Sequence, residues 1–236
     1  MSFTKTEDFQ ALGRAQLEAM LDAGQWVLEC HRILQKSSDN IVGEVLRGNG
    51  TFTQLDHYPP GDVFDQTSFS QYYYHAHREG EHGHFHTFVR SERAAKFQPI
   101  KQSQMDYMDE RDDTICHVIA ISMDNAGLPI GLFTTNRWVT AENWFSDADT
   151  ATMLPHFEMD LAPPSWPVNI WISGMLRLFR PQIEDLILKR DQVISAWAKK
   201  HPDTDVFEDR GIDILSEIPI SIDHQINHLK KALAAL

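Results

Sequence analysis

The chain has 236 residues, 42% of them hydrophobic, and 21 basic against 34 acidic side chains give it a formal charge of -13. That length suffices for one large core without staples; two cysteines, Cys30 and Cys116, cannot build a disulfide framework, and the negative excess opposes the counterion-release attraction on which nucleic-acid binding rests. No apolar stretch nears the roughly 20 residues needed to span a bilayer, and "MSFTKTEDFQ" lacks the basic-then-apolar pattern of a signal peptide, so the expectation is a cytoplasmic protein without nucleic-acid or membrane partners.

In chain order, apolar residues recur at helical spacing from Phe9 to Leu34, an amphipathic first helix weakened locally by Gly24. "TFTQLDHYPPGD" reads as a short strand closed by a Pro-Pro-Gly turn. "TICHVIAISMD" and "IGLFTTNRWV", joined by "NAGLP", form a hairpin of central sheet. The polar "KQSQMDYMDERDD" at 101–113 reads as a mobile loop. From about Thr140 the pattern turns helical: "PSWPVNIWISGMLRLF" and "PQIEDLILKRDQVISAWAKKH" are two helices parted at Arg180-Pro181. A last helix is capped by Ser221 and striped by Ile222, Ile226, Leu229, Leu233 and Leu236, which pack on the same chain or, alternatively, form a homodimer seam. The fold class is α+β: an antiparallel sheet of about four to six strands, carrying an N-terminal helix and a C-terminal helical half. It is expected as a single domain over 1–236, sheet-rich at about 50–139 and helical at about 140–236.

"YYYHAHREGEHGHFHTF" (72–88) holds five of the twelve histidines; even scattering would place about 0.6 in a twelve-residue window. Strand composition on both sides of "REGEHG" predicts a hairpin. With His77 opposite His84, His75 opposes His86 and Tyr73 opposes Phe88. His75, His77, His84 and His86 then share one face at cross-strand Cβ separations of about 5 Å, while Tyr72, Tyr74, Ala76, Phe85, Thr87 and Val89 pack the other. Any pairing whose partner numbers sum to an odd value keeps this division, and an even sum destroys it. Imidazoles converging so closely cannot all be protonated, and a shared divalent transition metal (Fe, Zn, Mn, Ni or Cu) satisfies them. A solvated or hydrogen-bonded histidine face is the plain alternative, and His82 is the member placed least firmly.

His117, in an apolar strand, is expected to share a face with Thr134, Asn136 and Trp138; it reads as a hydrogen-bonded core histidine or as a further metal ligand. Asn136 and Arg137 are candidates to orient a substrate carboxylate or phosphate, or else a structural ion pair. Glu81 is a candidate ligand or general base, as is Glu79, against a solvated turn. Trp138, Trp144, Trp166 and Trp171 read as packing residues, and His224 and His228 as a solvated helix face.

"HAHREGE", as His-x-His-x3-Glu, resembles the first metal motif of cupins, which implies His75, His77 and Glu81 as ligands. Phe69 and Phe88 stand where cupins place glycines, and Thr134 where their later histidine falls. "HGHFHTF" resembles the histidine-triad hydrolases and transferases, which implies His84 as a covalent nucleophile toward phosphorus; Gly83 and Thr87 replace bulky apolar residues of that pattern. "HVIAISMDNAGLPIGLFTTNRWVTAENW", "RPQIEDLILKRD" and "DVFEDR" resemble a bacterial family known only as uncharacterised.

The leading expectation is a metal-dependent enzyme, oxidoreductase or hydrolase, acting on a small molecule. Its catalytic candidates are Glu81, Arg137 and Asn136, and its metal candidates are His75, His77, His84, His86 and His117. The alternatives are a histidine-triad-like nucleotidyl hydrolase or transferase using His84, and a non-catalytic metal or haem carrier or sensor.

Overall fold

A computed structural model describes Phe9 and residues 12–90, 94–103 and 114–236. Most of the loop expected at 101–113 lies outside these residues; Lys101 within it bridges to Trp144. The elements are α1 (Arg14–Lys36), α2 (Ile41–Leu46), β1 (Tyr58–Asp65), β2 (Ser70–His75), β3 (Gly83–Arg90), β4 (Ile115–Met123), β5 (Pro129–Thr135), α3 (Arg137–Thr140), α4 (Asp147–Met153), α5 (Trp166–Leu178), α6 (Arg180–Lys200), β6 (Ile214–Pro219) and α7 (Ile222–Ala234). The six strands form one antiparallel meander in sequence order, so the fold is α+β.

One face of the sheet carries the main core. Tyr72, Tyr74, Phe85, Val89, Ile119, Ile121 and Leu132 pack there with α1, α5 and α7; the Tyr72 hydroxyl donates to Asn169 on α5 at 2.7 Å. Each fully buried aliphatic side chain in such a layer stabilises the fold by about 1.5–3 kcal/mol. Helix α1 runs unbroken through Gly24 because close approach requires it: a Cβ there would stand 2.9 Å from Ile226 of α7. Ser221 caps α7, its hydroxyl accepting from the His224 amide at 3.3 Å. Both cysteines are buried and free, and among the described residues no helix is long and apolar enough to cross a membrane.

The histidine hairpin forms with the expected parity and a different register. His75 faces His84 and Tyr73 faces His86, two residues away from the pairing that set His77 against His84. His77 lies beyond the end of β2, because the reversal is tighter on the β3 side and Gly83 already begins the next strand. The odd sum is kept, so the histidines and the apolar set stay on opposite faces.

Four further expectations need correction. The Pro-Pro-Gly segment does not follow a strand; it lies inside β1, where the register breaks between Tyr58 and Val63, as an edge strand allows for residues without amide donors. Strand β5 stops at Thr135, where Asn136 caps the short α3. The C-terminal half is not wholly helical: "ILSEIP" supplies β6, paired to β5. Thr134 does not share a face with His117; its hydroxyl meets Ser216, which donates to Leu186 of α6 on the helix-covered side.

The largest local irregularity is a bulge in β4. Thr87 pairs with Ile119 but Phe88 pairs with His117, so Val118 is an extra residue and both Val118 and Ile119 join the helix-side core. Without that insertion His117 would alternate into the core; with it, the ring turns to the histidine face, the re-aiming that β-bulges produce.

Gly83 is the position where the hairpin tolerates no side chain, since a Cβ would lie 2.5 Å from the His75 carbonyl oxygen and 2.6 Å from the Tyr74 hydroxyl. Gly83→Ala should therefore lower stability by about 1–3 kcal/mol, read as a fall of roughly 2–4 °C in Tm per kcal/mol. An unchanged thermal melt would refute this packing.

Candidate metal centre

The site is built around the opposed pair at the end of β2 and the start of β3. His75 Nε2 and His84 Nε2 stand 2.7 Å apart, both rings buried. His84 Nδ1 donates to the Glu81 carboxylate, which leaves its Nε2 with the lone pair, and His75 Nε2–H donates to it. Moving that proton to His75 Nδ1 leaves two lone pairs converging on one point, and a carboxylate behind a histidine is the support that metal-ligating imidazoles usually have.

His77 completes a group. Its ring centroid is 4.8 Å from His75 and 5.0 Å from His84, which are 4.5 Å from each other. Ligand nitrogens of the three lie within 4.8 Å of one another, with His75 and His84 buried and His77 exposed. At metal–nitrogen distances near 2.0–2.1 Å, imidazoles in adjacent coordination positions have centroids about 4.5–5.2 Å apart. The rings are therefore spaced as three ligands of one ion would be, so the group could hold a metal.

His86 and His117 form a second pair behind the first. His86 Nδ1 and His117 Nε2 are 2.9 Å apart, and the His86 ring lies 4.8 Å from His84 and 5.1 Å from His75. His86 Nε2 is buried and meets no partner among the described residues. Around the cluster, Tyr73 packs on His75, His86 and Phe88, and Phe133 packs edge-on against His84.

His57 was not singled out by sequence, yet it stacks on Tyr73 at 3.6 Å, stands edge-on to His75 at 5.6 Å, and is oriented by Asp62, 2.9 Å from its Nδ1. Its one sequence signal was proximity to the Pro-Pro-Gly break that loops β1 out. His82 belongs to a different environment: its Nδ1 meets the Tyr74 hydroxyl at 2.7 Å and its ring stacks on Phe52. Glu79 is exposed in the turn.

Asn136 and Arg137 serve another segment. The Asn136 amide donates to the Val206 carbonyl at 2.9 Å, and Arg137 pairs with Glu208 and donates to the Gln102 carbonyl at 2.8 Å. Their described hydrogen bonds tie β5 and α3 to the chain before β6 and, through Gln102, to the segment before β4, and none reaches a histidine. Trp144 and Trp171 are fully buried, whereas Trp166 is half-exposed against Trp26. The His224 and His228 rings lie 4.0 Å apart on α7, tilted by 56°, and neither belongs to the histidine group that could hold a metal.

Burial, reinforced by the neighbouring histidines, pulls His75 down to about 2. Burial likewise lowers His77 and His84, the latter against the opposing pull of Glu81. His86 is held well below its ordinary value by burial and then His84, and His117 falls to about 3 through burial and the Arg190 charge. Glu142, whose carboxylate accepts from the His117 amide, is pushed up to about 8 by burial. The cluster is thus neutral at pH 7, the state in which imidazole ligates.

Beside the centre, a groove of about 430 Å³ runs over the same face of β4, β5 and β6, with Ser122, Gly131, Phe133 and Glu217 in its lining and the 78–81 turn as its wall. Arg78 covers the Phe133 ring at 4.2 Å. Its volume is that of a small-molecule site.

The fold and the cluster define a two-layer α+β protein with a histidine-lined sheet face. The chain belongs to the family DUF6969, a domain of unknown function, which matches residues 21–220. No curated protein and no solved structure matches the chain.

The buried neutral histidines set a pH dependence. In the unfolded chain they protonate near 6.5, so their lowered values make a contribution that is present above pH 6.5 and lost as pH falls. Glu142, raised, contributes in the opposite sense and loses its share as pH rises through about 8. Below pH 6.5 several histidines outweigh one carboxyl. Denaturant titrations of metal-free protein should show maximal stability near pH 6.5–7 and a steep fall toward pH 5; a flat profile over that range would contradict a neutral buried cluster.

Proposed function

We propose that the protein is a metal-dependent enzyme acting on a small molecule, with one divalent transition metal bound through His75 and His84 and completed by His77. The observation that carries this reading is the converging Nε2 pair backed by Glu81. The pair is joined by one Nε2–H···Nε2 bond, and with that proton moved to Nδ1 of His75 the same two nitrogens face one ion.

Three neutral ligands leave a divalent ion its full charge and at least one position for water or substrate, the arrangement of catalytic rather than structural sites. The groove is lined by Glu81, the carboxylate behind His84, which supports a substrate binding next to the centre. There the ion would polarise a bound oxygen or activate water or dioxygen, chemistry shared by hydrolases and oxygenases. Arg78 at the groove wall, paired with Glu217 at 3.4 Å and Glu81 at 3.7 Å, is the cation that an anionic substrate group would compete for, and the Ser122 side chain at the groove floor is engaged with Glu81.

The geometry favours this reading over a phosphorus-attacking His84. Its Nδ1 is committed to Glu81 and its Nε2 faces His75, so neither nitrogen is presented to the groove.

Elemental analysis and calorimetric titration of untagged protein should give one ion per chain. His75→Ala and His84→Ala should abolish uptake, and Glu81→Gln should weaken it by about 10–100-fold, the usual effect of removing a carboxylate behind a ligand histidine. The cobalt(II) form should change its visible spectrum on adding azide, which reports an open position. Absence of stoichiometric metal would refute the site, and a cobalt form blind to azide would refute the catalytic role.

A further inference from the structure

We propose that His86 is an inner ligand of the same ion, held by His117, and that His77 is the exchangeable ligand at the solvent side. This inference rests on the metal reading above and extends its three ligands to four, the position open to substrate being the one that His77 vacates.

The ladder explains the division of labour. Tyr73 pairs with His86, His75 with His84, and His77 lies past the strand end. His86 and His77 therefore flank the His75–His84 pair from opposite directions along the strands. Two ring triangles share that pair as an edge. The outer one, His75, His77 and His84, has sides of 4.8, 5.0 and 4.5 Å; the inner one, His75, His84 and His86, has sides of 4.5, 4.8 and 5.1 Å. The ring spacings of both fall in the range that one ion requires of adjacent imidazoles, about 4.5–5.2 Å; the ligand nitrogens already converge within 4.8 Å in the outer triangle, and His86 must turn its Nε2 toward the pair to join them.

The inner triangle has what the outer one lacks. His86 is wholly buried, on a regular strand position, and its Nδ1 is engaged by His117. When Nδ1–H donates to His117, Nε2 holds a lone pair with no partner. Leaving such a nitrogen unsatisfied in the interior is costly, and an ion removes that penalty. The β4 bulge that turns His117 out of the core exists where this contact is made. His77, by contrast, is exposed and follows the last strand residue, so its backbone can carry the ring away from the ion and free a coordination position beside the groove.

The test uses the full chain loaded with zinc or cobalt(II). His77→Ala should retain one ion per chain, lose no more than about tenfold in affinity, and show three imidazoles by X-ray absorption. His86→Ala should lose at least a hundredfold in affinity, and His117→Ala about 10–100-fold, as expected for the residue behind a ligand. Circular dichroism establishes whether each variant folds; if the buried variants do not, the His77→Ala ligand count decides alone. Loss of the ion in His77→Ala, or a count of two imidazoles there, overturns the proposal, as does unaltered affinity in folded His86→Ala. These results differ from failure of the broader reading, in which the wild-type chain takes up no metal and both inferences fall together.

Discussion

The facing of His75 and His84 across β2 and β3 is the constraint from which the rest of this face follows. Two imidazoles meeting at 2.7 Å in a buried position cannot both carry a proton on the facing nitrogens, so the surroundings must keep the pair from becoming doubly cationic and orient its nitrogens. Glu81 orients one from the turn, Tyr73 and Phe133 wall the pair with aromatic surface, and burial lowers the pKa of each ring. The apolar half of the hairpin makes this affordable. Tyr72, Tyr74 and Phe85 lie on the helix side, so the strands are anchored by one face while the other is free to hold polar groups.

The β4 bulge extends the constraint to a third strand. It places His117 against His86 while keeping Val118 and Ile119 in the core, so a packing strand also supplies the support of a site. Glu142 behind His117 continues the chain of buried polar groups toward Arg190. Such a network is costly unless each member is satisfied; among the described residues His86 Nε2 and Glu142 Oε1 in it are buried without a partner, and the former is the atom that the proposed ion would satisfy.

Much of this was legible from residue types. The alternation of histidine with apolar residues determined which side chains share a face, because side chains of a strand repeat every second residue whatever the register. Helix α1, the break before α6 and the Ser221 cap were likewise readable from local spacing and end chemistry. The roles of Asn136 and Arg137 were not: a strand-end amide and guanidinium carry no signal of the partner they will find, and theirs proved to be the segment before β6. His57 escaped notice because it is isolated in sequence and reaches the cluster only through the β1–β2 pairing.

The sequence by itself determined the α+β class, the two-faced hairpin and the neutrality that crowding imposes on its histidines, since these follow from periodicity and from the short-range chemistry of neighbouring residues. Only the tertiary structure decided that His75 rather than His77 opposes His84, that a bulge brings His117 to the site, and that a strand from the C-terminal half closes the sheet beside the groove. Register, bulges and long-range strand pairing are settled by the packing of the whole sheet against its helices, and no local stretch of chain contains that energy.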